Sequence, residues 1–294
     1  MNASVKILLF LQNTYHTILY FLIMAVKENF RNYIRQAGAG IEPKDAVLVL
    51  GNGPSMKVDL DRIIARKEHQ EKDVMAVNYF AMDPRFEQIR PAFYTLSDPT
   101  FFRKTFDWDR AMKLYATLNE KVSWPMTLYV QYYNPEGFDY RKVLPNKNIR
   151  IVRFHSQVYH GFRAVEFWLF RHGLGSANFG TVVQNCAYIA LNLGYKTVEM
   201  YGVDHTLLQG LCVDSENRLC REVTYFYDQE APSPKPIYQN LPHKPYTMAS
   251  YLKELSELFR GHEVLNAYAH SLDARIINRT RNSMIDAYER RPLD

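Results

Sequence analysis

The stretch AVLVLGNGPS, residues 46–55, decides how the rest of the chain is to be understood. Its first half, Ala46–Leu50, is an unbroken aliphatic and β-branched run. Such a run suits a strand buried on both faces, as in a parallel sheet covered by helices. Its second half is a breaker-rich turn, Gly51-Asn52-Gly53-Pro54-Ser55. A Gly-rich turn at the carboxyl end of the first strand is where open α/β sheets bind nucleotides. Glycines let a ligand approach the backbone, and amides at the following helix start can meet phosphate. The turn is not G-x-G-x-x-G and lacks the Lys of a P-loop, so an ordinary strand-to-helix turn is the alternative. A helix is expected from about Asp59, where DLDRIIARK sets acids ahead of bases along the helix dipole.

Outward from this stretch the same alternation recurs. Strands are expected at 74–77, at 92–96 behind Pro91, at 127–131, at Ile149–Phe154 and at 198–201. A long helix over 178–193 carries Phe179, Val182, Val183, Cys186, Ile189, Ala190 and Leu193 at helical spacing, and Gly194 ends it. A further helix over 248–259 is closed by Gly261, with a last short strand at 264–265. The Arg-rich tail (Arg275, Arg279, Arg281, Arg290, Arg291) is expected as a solvated helix face. The pattern predicts an α/β fold: a single Rossmann-like domain over 44–294, with a mostly parallel sheet and helices on both faces. Residues 208–245 have weak periodicity and many Pro, Asp, Asn and Gln residues, and are expected to form a lid.

Composition agrees with a globular domain. Of 294 residues, 47% are hydrophobic, enough for a well-filled core. The three cysteines, Cys186, Cys212 and Cys220, have neither metal-ligand spacing nor the density of a disulfide framework, which favours a reducing compartment. The formal charge of +5 is too mild to imply nucleic acid. Its placement is more telling: residues 1–36 hold Lys6, Lys27, Arg31 and Arg35 against Glu28 alone, a net +3.

From 5 to 26, sixteen of twenty-two residues are apolar, the length of a bilayer span. Gln12, Asn13, Thr14, His16 and Thr17 fall in the middle, where a span would meet the bilayer centre. On a helical wheel Lys6, Gln12, Asn13, His16 and Thr17 share one broad side, and Leu8, Leu11, Tyr15, Ile18, Leu22 and Val26 line much of the other. No signal-peptide cleavage site follows. Residues 1–36 are therefore expected to lie on the membrane surface, with the basic run facing anionic lipid. The protein would then be cytoplasmic and peripheral on the inner face of the cell membrane. Packing on the chain's own domain, on a second copy as a homo-oligomer, or a true span are the alternatives.

Polar groups recur at the carboxyl ends of four strands: Asn52, Asn78, Ser97-Asp98 and Gly202-Val203-Asp204-His205. That convergence is the layout of a ligand crevice. The strings VLVLGNGPS, AVNYF, FYTLSDPTFF, LGYKTVEMYGVDH and NAYAHSLDA together resemble the bacterial CMP-sialic-acid sialyltransferases of glycosyltransferase family forty-two, over about residues 45–275. The MptE-like pterin pyrophosphokinase domains share part of this pattern. The sialyltransferase resemblance implies that Gly51, Asn52, Gly53 and Ser55 contact a nucleotide, with Asn78, Asp98, Ser176, Asn178 and Asp204 around the same pocket. At Asp98 that family usually has Asn. It implies a catalytic base at His243, just before a helix and after the lid, and two lid tyrosines, Tyr225 and Tyr227, on the leaving phosphate; His205, directly after Asp204, is a rival base on its position alone.

These assignments imply an inverting, metal-independent glycosyltransferase without a cofactor. A CMP-activated acidic sugar would be the donor and a membrane-linked glycan or glycolipid the acceptor. A neutral His can deprotonate an acceptor hydroxyl, and Tyr hydroxyls and amides can stabilise a leaving phosphate. Two D-x-D strings, Asp59-Leu60-Asp61 and Asp107-Trp108-Asp109, are weak hard-cation signals without further ligands. The rival readings are an MptE-like pyrophosphokinase using ATP and Mg²⁺, and a non-catalytic nucleotide-binding protein.

Overall fold

A computed structural model describes residues 2–39, 42–104, 107–133, 137–176, 179–222, 225–226, 233–239 and 244–293. The helices are α1 (Ala3–Lys27), α2 (Tyr33–Gly38), α3 (Met56–Ala65), α4 (Glu68–Glu71), α5 (Phe86–Ile89), α6 (Trp108–Lys121), α7 (Tyr140–Val143), α8 (Arg163–Arg171), α9 (Val182–Leu193) and α10 (Met248–His270). The strands are β1 (Ala46–Leu50), β2 (Asp73–Val77), β3 (Phe93–Leu96), β4 (Met126–Gln131), β5 (Ile149–Phe154), β6 (Thr197–Tyr201), β7 (Leu211–Val213), β8 (Leu219–Arg221), β9 (Lys235–Pro236), β10 (Arg275–Asn278) and β11 (Glu289–Arg290).

The main sheet has eight strands in the order β11-β10-β6-β1-β2-β3-β4-β5. Every pairing in it is parallel. β1 lies inside the sheet and is buried on both faces, which is why its sequence is continuously apolar. Val47 and Val49 point into one core, packed by α2, α9 and the end of α10. Leu48 and Leu50 point into the other, packed by α3, α5 and α6. From β1 the chain builds the sheet outward through β2 to β5, then returns to β6 on the opposite side of β1. Strand order therefore reverses between β1 and β6, and a crevice opens at their carboxyl ends.

Several expectations change in detail. α3 starts at Met56, and α9 starts at Val182 behind the cap residue Thr181, so Phe179 precedes the helix. α10 does not stop at Gly261. It runs to His270 and absorbs the apolar pair 264–265 that suggested a strand. A buried Gly inside a helix costs only about 1 kcal/mol, and Val264, Leu265, Tyr268 and Ala269 anchor this stretch in the core. The Arg-rich tail is not a helix face, since it contains β10 and β11. Arg279 is drawn inward by Glu199 on β6, at 3.1 Å. Residues 1–36 hold two helices, α1 and α2, rather than one. Part of the expected lid forms a small antiparallel sheet in the order β7-β8-β9.

Candidate functional site

The crevice is built by two interlocked loops. The Gly51 amide donates to the Tyr201 carbonyl and the Gly53 amide to that of Gly202, each at 2.8 Å. The approach is close enough to require glycine. A Cβ on Gly51 would sit 2.5 Å from the Gly202 oxygen, and one on Gly53 would sit 1.9 Å from Oδ2 of Asp204. Asp204 is buried, and its carboxylate accepts from the Ser55 hydroxyl at 2.9 Å and the Ser55 amide at 3.3 Å. Burial raises the Asp204 pKa above the ordinary carboxylate range, and the Ser55 hydrogen bonds counter this in part. Asp204 thus ties the β1 turn to the β6 turn, and from below the segment 280–284 holds residues 203–204. There Val203 donates its amide to Thr280 Oγ1 at 3.0 Å and Ser283 Oγ donates to the Val203 carbonyl at 2.7 Å.

Asn52, Gly53, Asn78, Gly202, Asp204, His205 and Tyr225 line this crevice together. Among the described residues Asn52 Oδ1 and Asn78 Oδ1 are buried with no hydrogen-bond partner, which leaves two acceptors that a donor group could satisfy. Asn78 also holds a left-handed backbone at φ 48°. Tyr94 donates its hydroxyl to the Asn78 carbonyl at 2.6 Å and steadies that turn. Non-glycine residues in this region cost of order 1 kcal/mol or more and gather at functional sites.

His205, at φ 50°, is the second strained residue of the crevice. Its Nε2 lies 3.2 Å from Nε2 of His262, whose Nδ1 lies 2.8 Å from the Tyr288 hydroxyl. His262 is 0% exposed and Tyr288 is buried as well. Burial pushes His205 down to about 4 and His262 well below the ordinary histidine value, with the neighbouring His205 lowering His262 further. Both rings are therefore neutral at physiological pH.

Three features of the crevice carry no sequence motif or only a faint one. Arg221 on β8 lines it, with its guanidinium donating to the Tyr251 hydroxyl. The N-terminus of α9 opens onto it through Thr181, Val182 and Val183. The first-turn amides of a helix and the positive end of its dipole suit an anionic group there. The string T-V-V-Q over 181–184 forms a capping box, the one local sequence signal that marks this helix start at Val182 rather than at 178. The relay of His262 and Tyr288 is the third feature, and nothing local in the sequence announces it.

Not every expected residue lines the crevice. Asp98 caps the 3₁₀ turn Pro99–Phe101, accepting from the Thr100 amide at 2.9 Å. Ser176 is buried and donates to the Ser156 carbonyl at 3.1 Å. Neither side chain is among those lining the crevice. Asn178, Tyr227 and His243 lie outside the described residues. Of the D-x-D strings, Asp59 is buried near Arg62 and Asp61 pairs with Arg85 at 2.6 Å. Asp107 accepts from the Tyr79 hydroxyl at 3.0 Å. Among the described residues no group of three or more His, Cys, Asp or Glu side chains is placed to hold a metal ion. Cys186, Cys212 and Cys220 are free thiols.

No family model matches the chain, and no curated protein matches it. Among solved structures it aligns with "Structure of MAf glycosyltransferase from Magnetospirillum magneticum AMB-1" at 16% identity and a TM-score of 0.47. The alignment covers 87% of this chain and 34% of that one, so this chain spans about a third of that structure's length.

Proposed function

We propose that the chain is an inverting glycosyltransferase that takes an acidic sugar from a CMP donor and passes it to a membrane-linked glycan. The observation that carries this reading is the pairing, in one crevice, of unsatisfied acceptors with an anion-suited helix start and a neutral histidine. Asn52 Oδ1 and Asn78 Oδ1 suit donors such as ribose hydroxyls or the cytosine amine. Arg221 and the α9 amides suit the phosphate. The resemblance to CMP-sialic-acid sialyltransferases supplies the sugar class.

The chemistry follows from these groups. The acceptor oxygen attacks the anomeric carbon from the face opposite the phosphate. The carbon–oxygen bond to phosphate breaks with its electron pair, leaving CMP. The acceptor proton passes to His205. In the tautomer that keeps a lone pair on His205 Nδ1, His205 Nε2–H donates to His262 and His262 Nδ1–H donates to Tyr288. His262 is thus a positioning residue for the base. Arg221, the α9 amides and Tyr225 offset the charge that grows on the leaving phosphate.

His205→Ala and His243→Ala, each assayed for turnover and for CMP affinity, test the assignment. Loss of a general base lowers turnover by about 10²–10⁴. The reading expects that loss in His205→Ala. Full activity in His205→Ala together with a dead His243→Ala would move the base to His243. A protein stabilised by ATP with Mg²⁺ and indifferent to CMP would replace the whole reading with the pyrophosphokinase one.

A further inference from the structure

α1 docks on the domain the wrong way round for a water-soluble protein. Its inward edge carries Thr17, whose hydroxyl lies 2.7 Å from the Tyr159 hydroxyl, and Tyr20, which donates to the Leu174 carbonyl at 2.6 Å. A Cβ on Gly175 would sit 2.5 Å from the Tyr20 hydroxyl, so the seat for this ring depends on a glycine. Met24 completes the contact against Tyr159, Leu169 and Leu174. The opposite edge is Leu8, Leu11, Tyr15, Ile18, Leu22 and Val26, each between 58% and 84% exposed. At a rise of 1.5 Å per residue this stripe is about 27 Å long. Contiguous apolar surface on this scale marks an interaction face.

Charge identifies the partner. Lys6 stands before the stripe, and Lys27, Arg31 and Arg35 follow it, all four exposed. The one acid of residues 1–36, Glu28, has its side chain 1% exposed because it pairs with buried His155. Every outward charge on this segment is therefore positive. Arg153 lines a surface cavity with Lys27 at the end of α1, beside Tyr132 and Tyr133. A second copy of the chain is a poor match. Antiparallel pairing would bring Lys6 beside Lys27, and parallel pairing would stack like on like. An anionic lipid surface complements both the apolar stripe and the cations that flank it.

The docking also sets the orientation. α1 is long and apolar enough to cross a bilayer by length and composition. However, Thr17, Tyr20 and Met24 are held against the domain along the middle and second half of the helix, and Phe10 meets Phe162 at 5.5 Å between ring centroids. Crossing would strip away these contacts. We propose that α1 lies flat in the headgroup region of an anionic bilayer, apolar stripe down, with the domain above it. This proposal stands apart from the reading of the crevice.

Co-sedimentation of the full chain with phosphatidylcholine vesicles, with and without phosphatidylglycerol, tests it. Binding is expected to be about tenfold or more tighter with phosphatidylglycerol, and to fall with added salt. Leu11→Gln/Ile18→Gln/Leu22→Gln should abolish binding to both vesicles while the melting temperature stays unchanged, since these side chains are more than half exposed. Lys27→Glu/Arg31→Glu/Arg35→Glu should remove the preference for phosphatidylglycerol. Three results would overturn the proposal: no vesicle binding by the full chain, a dimer in light scattering that the triple Gln variant dissolves, or protein in bacterial membranes that resists extraction by alkaline carbonate.

Discussion

At His205 both backbone and side chain are held in states that cost free energy. The left-handed φ of 50° is unusual for a side chain of this size, and desolvation opposes a charge on the ring. Such costs persist where surrounding structure imposes them, here through His262 and Tyr288. The lowered pKa of His205 gives its role as base a pH signature. A base works only while neutral, so activity falls as pH drops through its pKa. With His205 pushed down to about 4, turnover should stay level from neutrality to about pH 5 and fall below it. A base at the ordinary histidine value of about 6.5 would already be down to half activity at about pH 6.5. A pH profile of turnover with an acid limb near 6.5 would therefore point away from His205. His262→Gln should shift this limb while leaving CMP affinity within about twofold.

Among the elements, the junction of α9 and α10 sets the shape of the crevice. Gln184 is buried, accepts from the Thr181 amide at 3.1 Å and donates to the Leu258 carbonyl at 2.9 Å. Gln184→Leu leaves both partners unpaired, which should cost about 1–3 kcal/mol in denaturant unfolding. It should also weaken nucleotide binding, because Thr181 lines the site; unchanged stability would contradict this role. How much of this was legible in the sequence follows from what each element buries. The bounds of β1 and β5 follow from the sequence to the residue because burial on one or both faces leaves an apolar period. The turn Gly51–Ser55 and the Gly202–Asp204 turn were legible as polar and glycine breaks after such strands. α10 was cut short because Gly261 has the look of a helix end, whereas the tertiary contacts of Val264, Leu265 and Tyr268 carry the helix through it. His262 and Tyr288 come from α10 and from the segment before β11, and only the fold brings them to His205.

At the scale of the whole molecule, the N-terminal segment divides in two. α1 contributes Tyr20 and Met24 to a small cluster of its own, while Ile34 and Ala37 of α2 belong to the main core beneath the sheet. Deleting residues 1–27 should therefore leave a folded domain with unchanged nucleotide affinity and lost vesicle binding. Deleting residues 1–36 also removes Glu28 and Ile34. That should lower stability by about 2–5 kcal/mol through the emptied core position of Ile34. Equal melting temperatures for the two truncations would contradict this division.

Everything proposed for the crevice between β1 and β6 depends on its binding a cytidine nucleotide. The most direct measurement is the melting temperature of the full chain with CMP, UMP, GMP, AMP and ATP, each with EDTA and with Mg²⁺. A ligand at a hundred times its Kd stabilises the folded state by about 2.7 kcal/mol. CMP in EDTA should raise the melting temperature by the several degrees such a stabilisation gives, and Asn52→Ala/Asn78→Ala should remove the rise. A shift with ATP and Mg²⁺ alone, or none with any nucleotide, would contradict the account.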